Sequence, residues 1–227
     1  MSQKINPTSL RIGQQFSWNI TFQNYGKSLM QLMHYHSNFF FFLFLTQKLK
    51  NQNLLLANPK FCVFPSKFRI TKIAVRLNSA NKYENDIKFL LSLPSLLYWL
   101  PKNSVLIIFL SSSFCSAQIL ASYFTFLLEK NIIFRRAVTI LVNFLETQIK
   151  KQKIVYLKFG LKKIKLKGFK IKLSGRFENT KNQMTKKLEY NIGSLSLLSI
   201  SSYVEFCSLN IYSKLGVCNF KIWLFYS

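Results

Sequence analysis

Acidic residues are scarce in this 227-residue chain: seven Asp and Glu stand against 32 Lys and Arg, a formal net charge of +25. Glu84, Asp86, Glu129, Glu146, Glu178, Glu189 and Glu205 are the whole set. Metal-dependent nucleic-acid hydrolysis needs clustered carboxylates, which so few acids can hardly supply. Histidine is equally sparse, with only His34 and His36. At i, i+2 on a helix these rings point to different faces and make poor joint ligands. The four cysteines, Cys62, Cys115, Cys207 and Cys218, show no C-x-x-C pairing. No short loop can therefore wrap a metal ion, and the thiols read as small buried hydrophobes. With seven glycines and five prolines, the chain carries no Walker-type loop, no G-x-S-x-G and no H-E-x-x-H. These absences weaken every enzyme reading, and neither a cofactor nor a metal site is expected.

Apolar residues are plentiful. They make up 49% of the sequence, more than a disordered basic tail would carry, so there is material for a core. The length allows one or two domains. A charge this lopsided repels itself in a compact state, and a stable polyanionic partner relieves that cost. RNA, DNA and an anionic membrane all qualify on charge alone. The abundance of Phe, Leu, Ile, Ser, Asn, Lys and Tyr is the drift of an AT-rich gene, typical of organelle genomes. Neither a secretory signal nor an Arg-rich transit peptide opens the chain.

One stretch raises the possibility of a membrane. Ser104 to Leu128 is uncharged and long enough to span, and its internal serines do not forbid a span. The soluble alternative divides it at Ser111-Ser112-Ser113. Val105 to Leu110 then reads as a buried strand, and Ser116 to Lys130 as a helix capped by Ser113 or Ser116.

Elsewhere, residues 1 to about 25 read as a polar and aromatic arm, Lys27 to Lys50 as helical, and Phe61 to Leu77 as strand material. Asn78 to Asp86 is a polar loop, and Ile87 to Leu100 an apolar segment broken by Pro94. Phe134, Val138, Leu141, Val142 and Leu145 recur at helical spacing and make a core stripe. Phe220 to Phe225 alternates around Lys221 and reads as a final strand.

Lys150 to Lys187 is the basic block, with Glu178 its only acid. Lys163-Ile164-Lys165-Leu166-Lys167 alternates, as does Phe169-Lys170-Ile171-Lys172-Leu173, and Gly168 shifts the phase between them by one. Each run as a strand buries its apolar residues on one side and shows a lysine row on the other. Such a row on a rigid sheet can track phosphates. Arg176 follows the small pair Ser174-Gly175. That pair would let a backbone approach RNA, while Arg176 forks onto a phosphate or stacks on a base. A purely solvating surface does better with mixed signs, so polyanion binding is the favoured reading.

Two separated signatures carry a resemblance. Gln3-Lys4, Asn6-Pro7, Leu10-Arg11-Ile12-Gly13 and Trp18-Asn19 resemble the opening of the small-subunit ribosomal protein S3 family. Gly168-Phe169-Lys170-Ile171-Lys172-Leu173-Ser174-Gly175-Arg176 resembles the strand and turn of that family's C-terminal domain. Phe134-Arg135-Arg136-Ala137 looks like its basic helix at the domain junction, and Gly216-Val217 with Lys221 to Phe225 its closing strand. The resemblance implies an α+β protein. A KH-like domain of the second type (1-114, including the arm) would precede a C-terminal α/β domain (115-227) with a basic sheet. The chain departs from the pattern in three places. It has no G-x-x-G motif, Lys150 to Lys167 is insertion-like, and Ile192 to Ser202 holds no charge where the family is usually basic.

The resemblance implies a structural constituent of an organellar small ribosomal subunit, mitochondrial rather than plastid. Such a chain, encoded and made inside the organelle, would need no import signal. It would bind rRNA in the subunit head, help line the mRNA entry path and touch neighbouring ribosomal proteins, with no membrane span. The residues expected to face RNA are Lys4, Arg11, Arg135, Arg136, Lys163, Lys165, Lys167, Lys170, Lys172 and Arg176. Two other readings stay open: a small basic membrane protein anchored by 104-128, and a non-ribosomal RNA-binding maturation factor.

Overall fold

The computed structural model describes residues 6–16, 18, 20–22, 55–56, 60–63, 69–76, 104–110, 116–149, 151–157, 160–177, 184–197 and 199–227. The chain forms two compact units. One is Asn19–Phe114, and the other joins Met1–Trp18 to Cys115–Ser227.

In the first unit, β1 (Ile20–Phe22), β2 (Leu55–Leu56), β3 (Lys60–Val63), β4 (Arg69–Arg76) and β5 (Ser104–Leu110) make one mixed five-stranded sheet. β4 is its centre: β5 runs parallel along one edge, and β3 and β2 pair antiparallel on the other. β4 and β5 come from the alternating Arg-Ile-Thr-Lys-Ile-Ala-Val-Arg run and the apolar Val-Leu-Ile-Ile-Phe-Leu run. The expected helix at 27–50, the loop at 78–86 and the segment 87–100 lie outside the described residues. The KH-like expectation depends on them.

The second unit is a helix pair on a sheet. It begins with a short helix that the sequence reading treats only as part of an arm, α1 (Pro7–Arg11). Asn6 caps it, its Oδ1 accepting the Thr8 backbone N–H at 3.0 Å, and Pro7 supplies a preset φ at the first helical position. Then come α2 (Ala117–Glu129) and α3 (Phe134–Gln148). Ser116 caps α2, its hydroxyl accepting the Ile119 N–H at 3.2 Å. The strands are β6 (Gln152–Leu157), β7 (Gly160–Gly175), β8 (Lys186–Gly193), β9 (Tyr203–Ser213) and β10 (Gly216–Tyr226), all paired antiparallel. The path is β6-β7-β10-β9, and β8 pairs with β7. The arm contradicts its expected grouping: α1 packs on β9, and the Phe16 ring meets Tyr203 at 4.8 Å.

The membrane reading divides as its soluble alternative has it. The 104–128 stretch supplies β5 and most of α2, and the 13 residues of α2 fall short of the roughly 20 a spanning helix needs. No helix among the described residues is long and apolar enough to cross a membrane.

The core lies between the helices and one face of the sheet. Ile171, Leu173, Phe220, Ile222 and Leu224 are fully buried, as are Leu120, Phe124, Val138, Leu141 and Leu145. Phe124 stacks on Phe220 at 4.2 Å, tying α2 to β10. Glu205 ties three elements at once. Its carboxylate accepts the Ala117 N–H at the start of α2 (3.0 Å), the Lys153 ammonium of β6 (2.6 Å) and the Tyr203 hydroxyl (3.1 Å). A carboxylate at a helix N-terminus also complements the positive end of the helix dipole. Burial, then the Glu205 charge, drive the Tyr203 pKa far above its ordinary value.

β7 changes phase where its sequence does. Ile164 and Leu166 are buried before Gly168; Phe169, Ile171 and Leu173 are buried after it. The pairing with β10 slips at this point, Phe225 facing Gly168 and Tyr226 facing Leu166. Lys167 is the extra residue of a bulge. Gly168 faces Gly193 of β8, and neither has room for a side chain. A Cβ on Gly168 would lie 2.7 Å from the Ile192 carbonyl oxygen; one on Gly193 would lie 2.1 Å from that of Lys167. Gly193 also has φ +79°. Overpacking at Gly168→Ala should cost about 1–3 kcal/mol. Gly193→Ala should cost more, because its left-handed backbone adds about 1–2 kcal/mol. Urea unfolding of the two variants checks both the size and the order.

Candidate nucleic-acid interface

Lys163, Lys165 and Lys167 are exposed, and Lys170 and Lys172 are half-buried. All five stand on the side of β7 opposite its buried Ile, Leu and Phe side chains. The bulge makes this possible. Without the extra residue, the second lysine pair would turn into the core. Alternate residues of a strand are about 6.6 Å apart, so the row presents regularly spaced ammonium groups. The 150–167 stretch, insertion-like in sequence, is β6 and the first part of β7, paired as a hairpin from Gln152↔Lys165 to Leu157↔Gly160.

Beyond the bulge, Lys172 lies between Glu189 of β8 and Lys221 of β10. Directly opposed like charges destabilise a sheet. Glu189 offsets this by bridging Lys172 and Lys170, the latter at 3.3 Å. These bonds, that to Lys172 first, hold the Glu189 carboxyl below its ordinary pKa. The Lys170 ammonium also sits 6.0 Å from the Trp223 ring centre. Trp223 in turn packs on Phe206 at 5.1 Å. Sequence reasoning assigned no RNA role to Glu189, Lys221, Trp223 or Phe206. For Lys221 and Trp223 the signal was available, since they flank the buried Ile222.

Arg135 and Arg136 are exposed in the first turn of α3, where no side chain caps the helix. Cations there oppose the helix dipole, so helix stability does not account for them. The Phe134 ring lies 6.2 Å from Phe177, which brings this turn to the end of β7 where Arg176 sits. Arg176 is half-buried, and its Nε has no hydrogen-bond partner. Gly175 serves the sheet rather than an RNA approach: at φ +145°, a Cβ on it would lie 2.8 Å from Cys218 Cα. Lys4 lies outside the described residues.

Arg11 is the clear correction. It is fully buried, and its guanidinium donates to the carbonyls of Pro7 (3.0 Å), Leu197 (3.1 Å), Ser199 (2.7 Å) and Ser202 (2.9 Å). Burial lowers its pKa from the ordinary value. A guanidinium can satisfy several carbonyls at once because its donors form a fixed fork. Arg11 therefore locks the arm onto the loop before β9 and is not available to RNA. Arg11→Lys keeps the charge but loses the fork. Its urea midpoint should fall by an amount worth about 1.5–3 kcal/mol, with RNA affinity of the folded fraction unchanged.

Among the described residues no group of three or more His, Cys, Asp or Glu could hold a metal ion. Burial raises the Cys207 thiol to about 11 and also pushes Cys218 up, as expected of packing thiols.

A curated relative from Chondrus crispus, "Small ribosomal subunit protein uS3m", is 32% identical over 239 aligned residues, covering 100% of this chain and 95% of the relative. The chain belongs to the mitochondrial small-subunit ribosomal protein S3 family. No protein-family model matches it. Membership in this family makes the protein a structural, non-enzymatic constituent of the mitochondrial small subunit. It replaces the membrane-anchor reading.

Within this ribosomal family member, Glu189 occupies the lysines as a phosphate oxygen would. Glu189→Gln should raise affinity for RNA and steepen the salt dependence by about one to two units of log–log slope. Fluorescence anisotropy titrations at several salt concentrations read both. An unchanged slope would mean that Lys170 and Lys172 do not meet phosphates.

Proposed function

We propose that this protein binds small-subunit rRNA along β7 and contributes Arg135 and Arg136 to the mRNA entry path. The carrying observation is the basic track on one side of β7. It runs from Lys163, Lys165 and Lys167 on the hairpin, through Lys170 and Lys172, to Arg176 beside α3. Described acids are few, and Glu205 is directed to inner contacts with α2 and Lys153. Glu189 answers Lys170 and Lys172 only in part, which leaves the rest of the outer lysine charge to be neutralised by a polyanion.

In this reading the second unit is the C-terminal α/β domain of the family, and 19–114 is the KH-like domain. Without G-x-x-G, that first unit would not grip a single strand in the usual KH manner. Neighbouring small-subunit proteins cover further surface. A maturation factor acting off the ribosome is the contrasting reading, and loose association would reveal it.

Magnesium-containing sucrose gradients of detergent-solubilised mitochondria test the assignment. The protein should co-migrate with small-subunit rRNA and stay there through a moderate-salt wash. Recovery at the top of the gradient would overturn it. The double substitution Arg135→Ala, Arg136→Ala should weaken RNA binding and reduce the salt slope by about 2. Its unfolding free energy should stay within about 0.5 kcal/mol, as for exposed sites. A large loss of stability would instead make the two arginines structural.

A further inference from the structure

The sheet has two faces, and α2 with α3 covers one. On the other face, three neighbouring strands place Lys170 opposite Trp223 and Trp223 opposite Phe206. One row along, Lys172 lies opposite Lys221. Trp223, Phe206, Lys170, Lys172 and Lys221 are all partly accessible. Among the described residues Glu189 is the acid that opposes the lysines here, and it bridges two of them.

Two features of this patch need explaining together. An aromatic pair at 5.1 Å stands on the outer face, away from the core. Beside it, Lys172 faces Lys221 across strands, and the single Glu189 carboxylate answers Lys172 and Lys170 together, so three ammonium groups stand against one negative charge. A protein partner could cover the aromatics, but it would have to bring carboxylates for the lysines. A nucleic-acid strand brings both at once, bases with π-faces and phosphates at regular intervals. Duplex RNA fits less well. Its bases are already stacked, and its deep major groove does not admit a flat sheet.

We propose that the outer face of the β7-β10-β9 sheet is a stacking platform for single-stranded RNA. Trp223 and Phe206 receive unpaired bases, and Lys170, Lys172 and Lys221 take the adjoining phosphates. This rests on the RNA-binding reading above and adds to it a strand state and a contact mode. Lys170, which now lies over the Trp223 ring at 6.0 Å, has a flexible stem and can move to a phosphate as a base arrives. The neighbouring Ile222 and Leu224 are fully buried on the opposite face, so the platform is rigidly backed.

The test uses the full chain and one labelled oligonucleotide, presented single-stranded and as a duplex, with affinity measured by anisotropy over a range of salt. Trp223→Ala should weaken single-strand binding about 5- to 100-fold, the range for loss of one base–aromatic stack. It should leave the salt slope and the duplex affinity unchanged. Trp223→Phe should retain most of the affinity, which separates stacking from a folding defect. Lys170→Ala with Lys172→Ala should instead reduce the slope, by about 1 or less because Glu189 already answers part of their charge. If Trp223→Ala leaves single-strand affinity unchanged while the lysine pair still lowers the slope, the platform is wrong and the RNA-binding reading stands. If neither changes RNA binding but Trp223→Ala blocks incorporation into the subunit, the face docks a protein and the proposal is overturned. Failure of the unmodified chain to bind either RNA form would overturn both readings.

Discussion

Two backbones cross too closely for any side chain where Gly168 meets Gly193, and the second unit is arranged around that crossing. β7 contributes to the core before and after it, with an extra residue between the halves. A uniform strand of this length would put the apolar residues of its two halves on opposite faces. The bulge realigns them, so Ile164 and Leu166 share a core side with Ile171 and Leu173. It also carries both lysine rows onto the other side. The packing requirement and the basic surface thus follow from one local irregularity, in keeping with the frequent placement of bulges beside functional surfaces.

Scarcity of acids shapes the interior as much as the surface. Glu205 serves three donors from three elements, where a chain richer in carboxylates could use separate pairs. Among the described residues Arg11 has no carboxylate partner, and main-chain carbonyls solvate it instead. Those carbonyls belong largely to the uncharged loop before β9. The absence of basic residues there, a departure from the family pattern, is consistent with this: another cation would crowd a buried guanidinium held by carbonyls. Outside, most of the positive charge goes unanswered by the chain itself. Isolated, it would repel itself; against a polyanion, the same charge becomes attraction.

Much of the second unit was legible in the sequence. The phase change at Gly168, the Ser116 cap, the α3 stripe and the closing strand all express local patterns, which survive without knowledge of the neighbours. β8 and β9 were not legible. Lys186 to Gly193 shows only partial burial in alternation, and Tyr203 to Ser213 mixes polar and apolar residues because its outer side stays wet. The role of Arg11 was hidden for a different reason. A lone arginine in a basic chain looks like a surface cation until the fold supplies carbonyls from far along the sequence. Gly175 misled similarly, its constraint coming from Cys218 on the next strand. The arm helix had a readable signal in Asn6-Pro7, a cap followed by a preset φ.

The Arg11 lock has a consequence for how the protein is made. Its principal acceptors, Leu197, Ser199 and Ser202, lie 186 to 191 residues further along. The ribosome producing this chain therefore releases the arm long before anything exists to receive it. Residues 7 to 16 must wait, with their one cation hydrated, while β6, β7 and β8 are laid down. Closure of the unit therefore waits until Leu197 to Ser202 have been made. Anything that captures the nascent arm in that interval would delay it, and with it the delivery of this subunit to the particle it helps build.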